Sequence, residues 1–241
     1  MLVGLGASAA ELSVAVAANF TAPMQKIAAA FEQTSGHRLA LAFGATGKFY
    51  AQIKHGAPFT VLLAADAATP ARLEEEGLAV AGSRFTYAIG KLVLWSRQAE
   101  LLGEGKDEGK KVLSKGEFAH LAIADPKLAP YGAAAMQTLT RLGLADALQS
   151  RLVYGESIGQ AYQFVASGNA ELGFVALAQV LEDGKLRAGS AWMVPDQLYE
   201  PIRQDALILR NGSEQAAAAE LLEFLRSSTA QDIIRAYGYG L

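Results

Sequence analysis

The chain has 241 residues, with 21 Lys and Arg against 24 Asp and Glu, 51% hydrophobic residues, 24 Gly and no Cys. That length accommodates one large domain or two lobes of ordinary size, and apolar residues near half of the total exclude a disordered chain. A net charge of −3 with no Lys/Arg cluster leaves no electrostatic basis for holding nucleic acid. No apolar run approaches the roughly 20 residues of a membrane-spanning helix, and without cysteine there is no disulfide, thiolate nucleophile or zinc–sulfur site.

Met1–Ala10 reads MLVGLGASAA. Its apolar start and the small-x-small run Ala7-Ser8-Ala9 resemble the end of a secretory signal cut after Ala9, so residues 1–9 are expected to be the remnant of a longer export signal. Leu12–Ala18 reads as a strand. From Pro23 the residues Met24, Ile27, Ala28 and Phe31 fall on one helical face, and Gly36 ends that helix. Arg38–Phe43 is a second strand, Gly44–Gly47 turns into a short helix through His55, and Val61–Ala65 is a third strand. Thr69-Pro70 starts a further helix that stops at Gly77. This βαβαβα order predicts a largely parallel sheet covered on both faces.

Phe85–Arg97 is an unusually long extended stretch, and the alternation restarts after it. Leu121–Ala124 reads as a strand, Tyr131–Leu142 as a helix, Leu152–Tyr154 as a strand, Ser157–Ser167 as a helix and Leu172–Leu177 as a strand. A second long extended segment, Tyr199–Leu209, precedes closing helices at Ser213–Arg226 and Ala230–Tyr237. Trp95 and Trp192 lie in strand-like runs and read as core. The expected fold is therefore α/β, two lobes each built on a mostly parallel sheet flanked by helices and joined by two crossing strands. Ligand then belongs in the cleft between them, at helix N-termini.

Gly44-Ala45-Thr46-Gly47-Lys48 invites comparison with a phosphate-binding P-loop, but Ala42 stands where the first glycine belongs and Phe49 where the magnesium-binding hydroxyl belongs. What survives is a Gly-rich turn entering a helix, which offers backbone N–H groups to an anion. His37, His55 and His120 have no second ligand at metal spacing and read as solvated surface residues. The recurrent feature is a neutral polar residue at strand-to-helix junctions: Asn19 after the first strand, Thr46 after the second, Tyr131 in Pro130-Tyr131-Gly132, and Ser157-Ile158. Each alone is an ordinary cap or turn. Four of them facing one cleft would make a cage of neutral donors suited to a small dianion.

At these residues the chain resembles the molybdate-binding component of the molybdate ABC importer, a type II solute-binding protein family. The resemblance runs from Glu11 to Leu241 through Val16-Ala17-Ala18-Asn19-Phe20, Phe43-Gly44-Ala45-Thr46-Gly47, Gly56-Ala57-Pro58, Leu62–Asp66, Ala124-Asp125-Pro126, Pro130-Tyr131-Gly132, Leu172-Gly173-Phe174-Val175 and Tyr237-Gly238. It implies a type II periplasmic binding fold, with residues 10–86 plus 205–241 as one lobe and 87–204 as the other. It implies no catalysis and no cofactor. The oxyanion, molybdate or tungstate, would be held by Ala18, Asn19 and Thr46 from the first lobe and by Tyr131 and the Ile158 N–H from the second. These would touch the oxyanion's oxygens, none of them ligating the metal itself. The implied partner is the membrane permease of a molybdate importer, and the protein would be a periplasmic monomer. Thr46 stands where the family often has Ser. Ala176 stands where another branch supplies a Tyr, so that Tyr131 takes over the phenol's role, and Thr60 replaces an Asp usual before the third strand. The competing expectations are a binder of sulfate or phosphate, and an oxyanion-sensing domain of a regulator. The latter would need a DNA-binding domain ahead of the first strand.

Overall fold

The computed structural model describes residues 9–103, 105–182, 184–213 and 215–241. The expected signal remnant, apart from Ala9, lies outside them. In chain order the elements begin with β1 (Glu11–Ala17), α1 (Thr21–Ser35), β2 (Arg38–Gly44), α2 (Thr46–Lys54), β3 (Val61–Leu63), α3 (Ala68–Glu75), β4 (Phe85–Gly90) and β5 (Leu92–Ser96). They continue with α4 (Glu108–Lys115), β6 (Leu121–Ala124), α5 (Pro130–Arg141), α6 (Ala145–Leu148), β7 (Leu152–Gly155), α7 (Ile158–Ala166), β8 (Leu172–Ala176) and α8 (Leu177–Val180). A small hairpin, β9 (Leu181–Glu182) and β10 (Lys185–Leu186), leads to β11 (Ser190–Met193), β12 (Ile202–Ile208), α9 (Ala216–Arg226) and α10 (Ser228–Ala236).

Two five-stranded sheets result, in the orders β2-β1-β3-β12-β4 and β11-β5-β8-β6-β7. The βα units pair in parallel as expected: β1 with β2 and β3, β6 with β7 and β8. The crossing segments do not. β12 runs antiparallel between β3 and β4, and β5 runs antiparallel between β8 and β11, so both sheets are mixed. The long stretch Phe85–Arg97 divides at Lys91, with β4 in the first sheet and β5 in the second. The chain returns before β12, all of which lies in the first sheet.

Strand composition follows from position. The inner strands β6 (LAIA) and β8 (LGFVA) are buried at every residue, as required where helices cover both faces. The edge strand β2 alternates between exposed and half-buried positions. Leu12, Val14 and Val16 of β1 share one core with Met24, Ile27 and Phe31 of α1 and Leu221, Leu222 and Leu225 of α9. Ala15, on the opposite face, packs with Phe49 and Ile53 of α2 and Leu73 of α3. In the second sheet Trp95, Ile123 and Phe174 lie in one core with Leu139 of α5 and Val165 of α7, and both tryptophans are buried as expected.

His37 departs from the surface reading. It is buried, its Nδ1 accepts from the Ala10 N–H at 3.1 Å, and its Nε2 lies 3.2 Å from Glu220 Oε2, tying the start of β1 to α9. His55 and His120 are exposed. Among the described residues no group of three or more His, Cys, Asp or Glu could hold a metal, and no helix is long and apolar enough to cross a membrane.

Gly132, next to Tyr131, is where α5 touches β6. A Cβ there would lie 2.1 Å from the Ala124 carbonyl oxygen, a backbone atom that cannot move independently. Gly132→Ala is expected to lower stability by about 1–3 kcal/mol or more, since overpacking against backbone forces the two elements apart. Urea unfolding of the two proteins checks this, and an unchanged midpoint would contradict it.

Candidate functional site

The parallel strands of both sheets end at the same place, and the helices that follow begin there. Ala17 ends β1 and the chain passes through a 3₁₀ turn, Ala18–Phe20, into α1. β2 ends at Gly44 and α2 starts at Thr46, while α5 starts at Pro130 and α7 at Ile158. The five residues singled out from sequence, Ala18, Asn19, Thr46, Tyr131 and Ile158, all line one small cavity, together with Ala17, Gly44, Ala45, Ala65, Ala129 and Pro130. The lining draws on both sheets, and none of it is charged.

Three of the four helix starts at this cavity lack a side-chain cap. The residues preceding the 3₁₀ turn, α2 and α5 are Ala17, Ala45 and Ala129, and none of these starts has a side-chain cap. Alanine is among the poorest residues for that position, because it cannot accept from the unpaired N–H groups of the first turn. The fourth, α7, is capped conventionally by Ser157, which accepts from Gln160 N. Gln179 Nε2 donates to the Ile158 carbonyl at 3.1 Å and so occupies that acceptor.

Two hydroxyls reach the cavity with their acceptor side already used. Thr46 Oγ1 accepts from the Ala65 N–H at 2.9 Å. Tyr131 OH accepts from Gln204 Nε2 at 3.1 Å. Each oxygen carries one proton, and with a lone pair engaged by a protein N–H that proton can be given to another acceptor, for which the Tyr239 phenol beside Tyr131 competes with any ligand. Burial pushes the Tyr131, Tyr87 and Tyr239 phenols upward, so Tyr131 remains protonated at any physiological pH and can donate. Asp66, in the adjoining groove, is likewise pushed up by burial, partly offset by hydrogen bonds from Thr69.

Asn19 is placed differently from a simple side-chain donor. Its Nδ2 donates to Gln204 Oε1 at 2.8 Å and to Tyr239 OH at 3.0 Å, while Tyr239 OH donates back to the Asn19 carbonyl at 2.8 Å. Asn19 Oδ1 is buried without a partner. Sequence reasoning missed Gln204, Tyr87 and Tyr239, which with Asn19 and Tyr131 form one buried polar cluster beside the cavity. The pair Tyr237-Gly238 pointed to the chain end near Tyr239. Gln204 gave no signal, because a lone polar residue in an extended run is ordinary.

The two halves touch around the cavity. Gly47 N donates to Leu128 O at 3.0 Å, Ala18 packs against Gly159, and Lys48 Nζ meets Glu156 Oε2 at 2.5 Å. These contacts bring the facing edges of the two sheets together around the cavity.

Residues 12–240 match the family described as bacterial extracellular solute-binding protein. The molybdate-binding protein ModA of Azotobacter vinelandii is 60% identical over 240 residues, covering 100% of this chain and 94% of its own length. ModA of Rhodobacter capsulatus is 52% identical, with 99% of this chain and 92% of its own length covered. A solved structure of an Azotobacter vinelandii periplasmic molybdate-binding protein superposes with a TM-score of 0.91 at 44% identity, over 95% of this chain and 99% of that one. The chain belongs to the bacterial extracellular solute-binding protein family, alongside its ModA-type molybdate-binding members.

Proposed function

We propose that this protein captures molybdate, or tungstate by the same geometry, in the closed cavity between its two sheets, and presents it to the membrane permease of an ABC importer. In this reading it is exported to the periplasm, acts as a monomer and carries out no reaction. The sheets are the two lobes that close, with crossings near Gly90–Lys91 and Pro201. The observation that supports it best is the convergence of uncapped helix starts and two proton-presenting hydroxyls on one neutral cavity. The names of the close relatives supply the ligand.

The roles divide as follows. Ala18, Asn19 and Ile158 contribute main-chain N–H groups at helix starts, where the partial positive charge of the helix end favours an anion. Thr46 and Tyr131 contribute protons. A fully deprotonated oxyanion needs only donors. Phosphate still carries a proton at neutral pH and needs an acceptor such as a carboxylate, and among the described residues no acidic one lines the cavity. Sulfate differs from molybdate by size, so the fit of four oxygens against rigid helix starts is what must reject it. Closure is favoured by ligand to the extent that contacts from the second half exist only in the closed state.

Calorimetry with molybdate, tungstate, sulfate and phosphate in parallel tests the assignment. Molybdate and tungstate are expected to bind at micromolar Kd or tighter, about −8 kcal/mol or more favourable, with sulfate far weaker. Equal binding of sulfate and molybdate would overturn the reading. Thr46→Ala and Tyr131→Phe are each expected to weaken molybdate binding by about 1–3 kcal/mol, the cost of losing one hydrogen bond to a charged acceptor.

Salt dependence is a separate check. Among the described residues no cation lines the cavity, and Lys48, two residues past Thr46, is engaged by Glu156 at the exposed surface. Exposed pairs contribute little and are screened, whereas a dianion inside a closed cleft is shielded from mobile ions. Molybdate titrations from low to moderate sodium chloride should therefore give a nearly constant Kd, in wild type and in Lys48→Ala alike. A steep loss with salt that Lys48→Ala abolishes would mean that a cation, not fixed dipoles, holds the ligand.

A further inference from the structure

Gln204 is wholly buried, lies on the strand that recrosses from the second sheet, and joins the two halves at the cavity. Its Oε1 accepts from Asn19 Nδ2 at 2.8 Å and from Tyr87 OH at 3.0 Å, and its Nε2 donates to Tyr131 OH at 3.1 Å. Tyr87 OH lies equally 3.0 Å from the Ala64 carbonyl, so its one proton is shared between two acceptors and Asn19 Nδ2 is the undivided donor to Gln204 Oε1. We propose that Gln204 is a positioning residue for the oxyanion: by donating to Tyr131 OH it compels that phenol to present its proton to the cavity, and Asn19 holds Gln204 in the orientation that does so. This rests on the oxyanion-binding reading above.

Two further features of the backbone serve this contact. The register of β12 against β4 shifts between Gln204 and Asp205, an irregularity of the kind that re-aims a strand side chain toward a site. Opposite it, Gly90 ends β4. A Cβ at Gly90 would lie 2.1 Å from Tyr131 OH and 2.7 Å from Gln204 Nε2, so the hydrogen bond occupies the space that any other residue's side chain would take.

The amide has a direction, and that direction has consequences. If Gln204 were turned over, its oxygen would face Tyr131 and take the phenol's proton, and its nitrogen would face Asn19, which would have to offer Oδ1. The phenol would then have no proton for an anion. As the amides stand, Asn19 spends its two N–H groups on Gln204 and Tyr239, leaving Oδ1 unpartnered. The side chain of Asn19 therefore acts on the ligand through Gln204 and Tyr131.

A double-mutant cycle tests this. Gln204→Met keeps the length and removes both the donor and the acceptor, and Tyr131→Phe removes the phenol it acts on. In the wild-type background Gln204→Met is expected to raise the oxyanion Kd about 10-fold, the scale of one charge-assisted hydrogen bond. In the Tyr131→Phe background the same substitution is expected to change Kd by less than about 2-fold, because the proton it aimed is gone. Urea unfolding of each ligand-free variant separates lost stability from lost binding, since a merely structural Gln204 would cost the same in both backgrounds. Equal losses in both backgrounds, or no loss in either, would overturn the proposal. Each protein is titrated with molybdate, tungstate and sulfate. A wild type that binds sulfate in preference to molybdate would overturn the functional reading and leave the cycle readable with sulfate. A wild type that binds none of them would overturn both.

Discussion

A doubly charged oxyanion taken out of water loses a full shell of donors, and only donors whose directions are set beforehand can replace that shell without a large cost in ordering. This requirement explains the most particular features of the cavity. A hydroxyl rotates freely unless something holds it. Here Thr46 is held by the Ala65 N–H and Tyr131 by the Gln204 amide, each through the lone-pair side of its oxygen. What is left on each is a proton to donate, with the side of the oxygen facing the protein N–H closed to it. The same result is reached with a main-chain partner in one half of the molecule and a side-chain partner in the other.

In the proposed site helix starts supply the remaining donors, and the fold assembles them at little cost. Parallel strands end on one edge of each sheet, so the helices that follow begin side by side, and two such edges face each other across the cavity. Alanine before three of those starts is unfavourable for an isolated helix, typically by about 1 kcal/mol relative to a capping residue. Here the omission leaves no side chain competing for the first-turn N–H groups, although that of Gly47 is taken by the Leu128 carbonyl and Pro130 has none. Ser157, the one conventional cap, belongs to a start whose Ile158 carbonyl is separately engaged by Gln179. Stability given up locally is recovered in the cores behind the sheets, where β6 and β8 are buried along their whole length.

The parts of this design that were legible in the sequence are those written in local pattern. The βα alternation, the Gly36 stop and the neutral polar residues at the junctions led to the two-lobe fold and to the five residues that line the cavity. The antiparallel insertion of β12 and β5 was not legible, because strand direction in a sheet is decided by long-range pairing. α4 escaped for a physical reason: Gly109 weakens its helical pattern, yet the glycine is there because a Cβ would lie 2.2 Å from the Trp192 ring. His37 read as surface because its partners, Ala10 and Glu220, are distant in sequence. The polar cluster was hidden for the same reason. Asn19, Tyr87, Tyr131, Gln204 and Tyr239 come from five elements or chain ends, and no spacing between them repeats.

That cluster lies where the two halves are joined, which ties closure to chemistry. Gly90 and Gln204 sit on the two strands by which the chain leaves and regains the first sheet, and their shared contact is a residue of the second half, Tyr131. A rotation of the halves that moved Tyr131 by even an ångström would stretch the bond from Gln204 beyond useful geometry and release the phenol's proton from its direction. Gly47, by contrast, meets Leu128 main chain to main chain, and Lys48 meets Glu156 at the surface. These contacts can reform after each opening without specifying any ligand. On the proposed reading the selective contact is thus buried at the crossing and the permissive ones lie at the rim. This is the order expected if an oxyanion is admitted by an open rim and judged only when the crossing has brought the two halves into register.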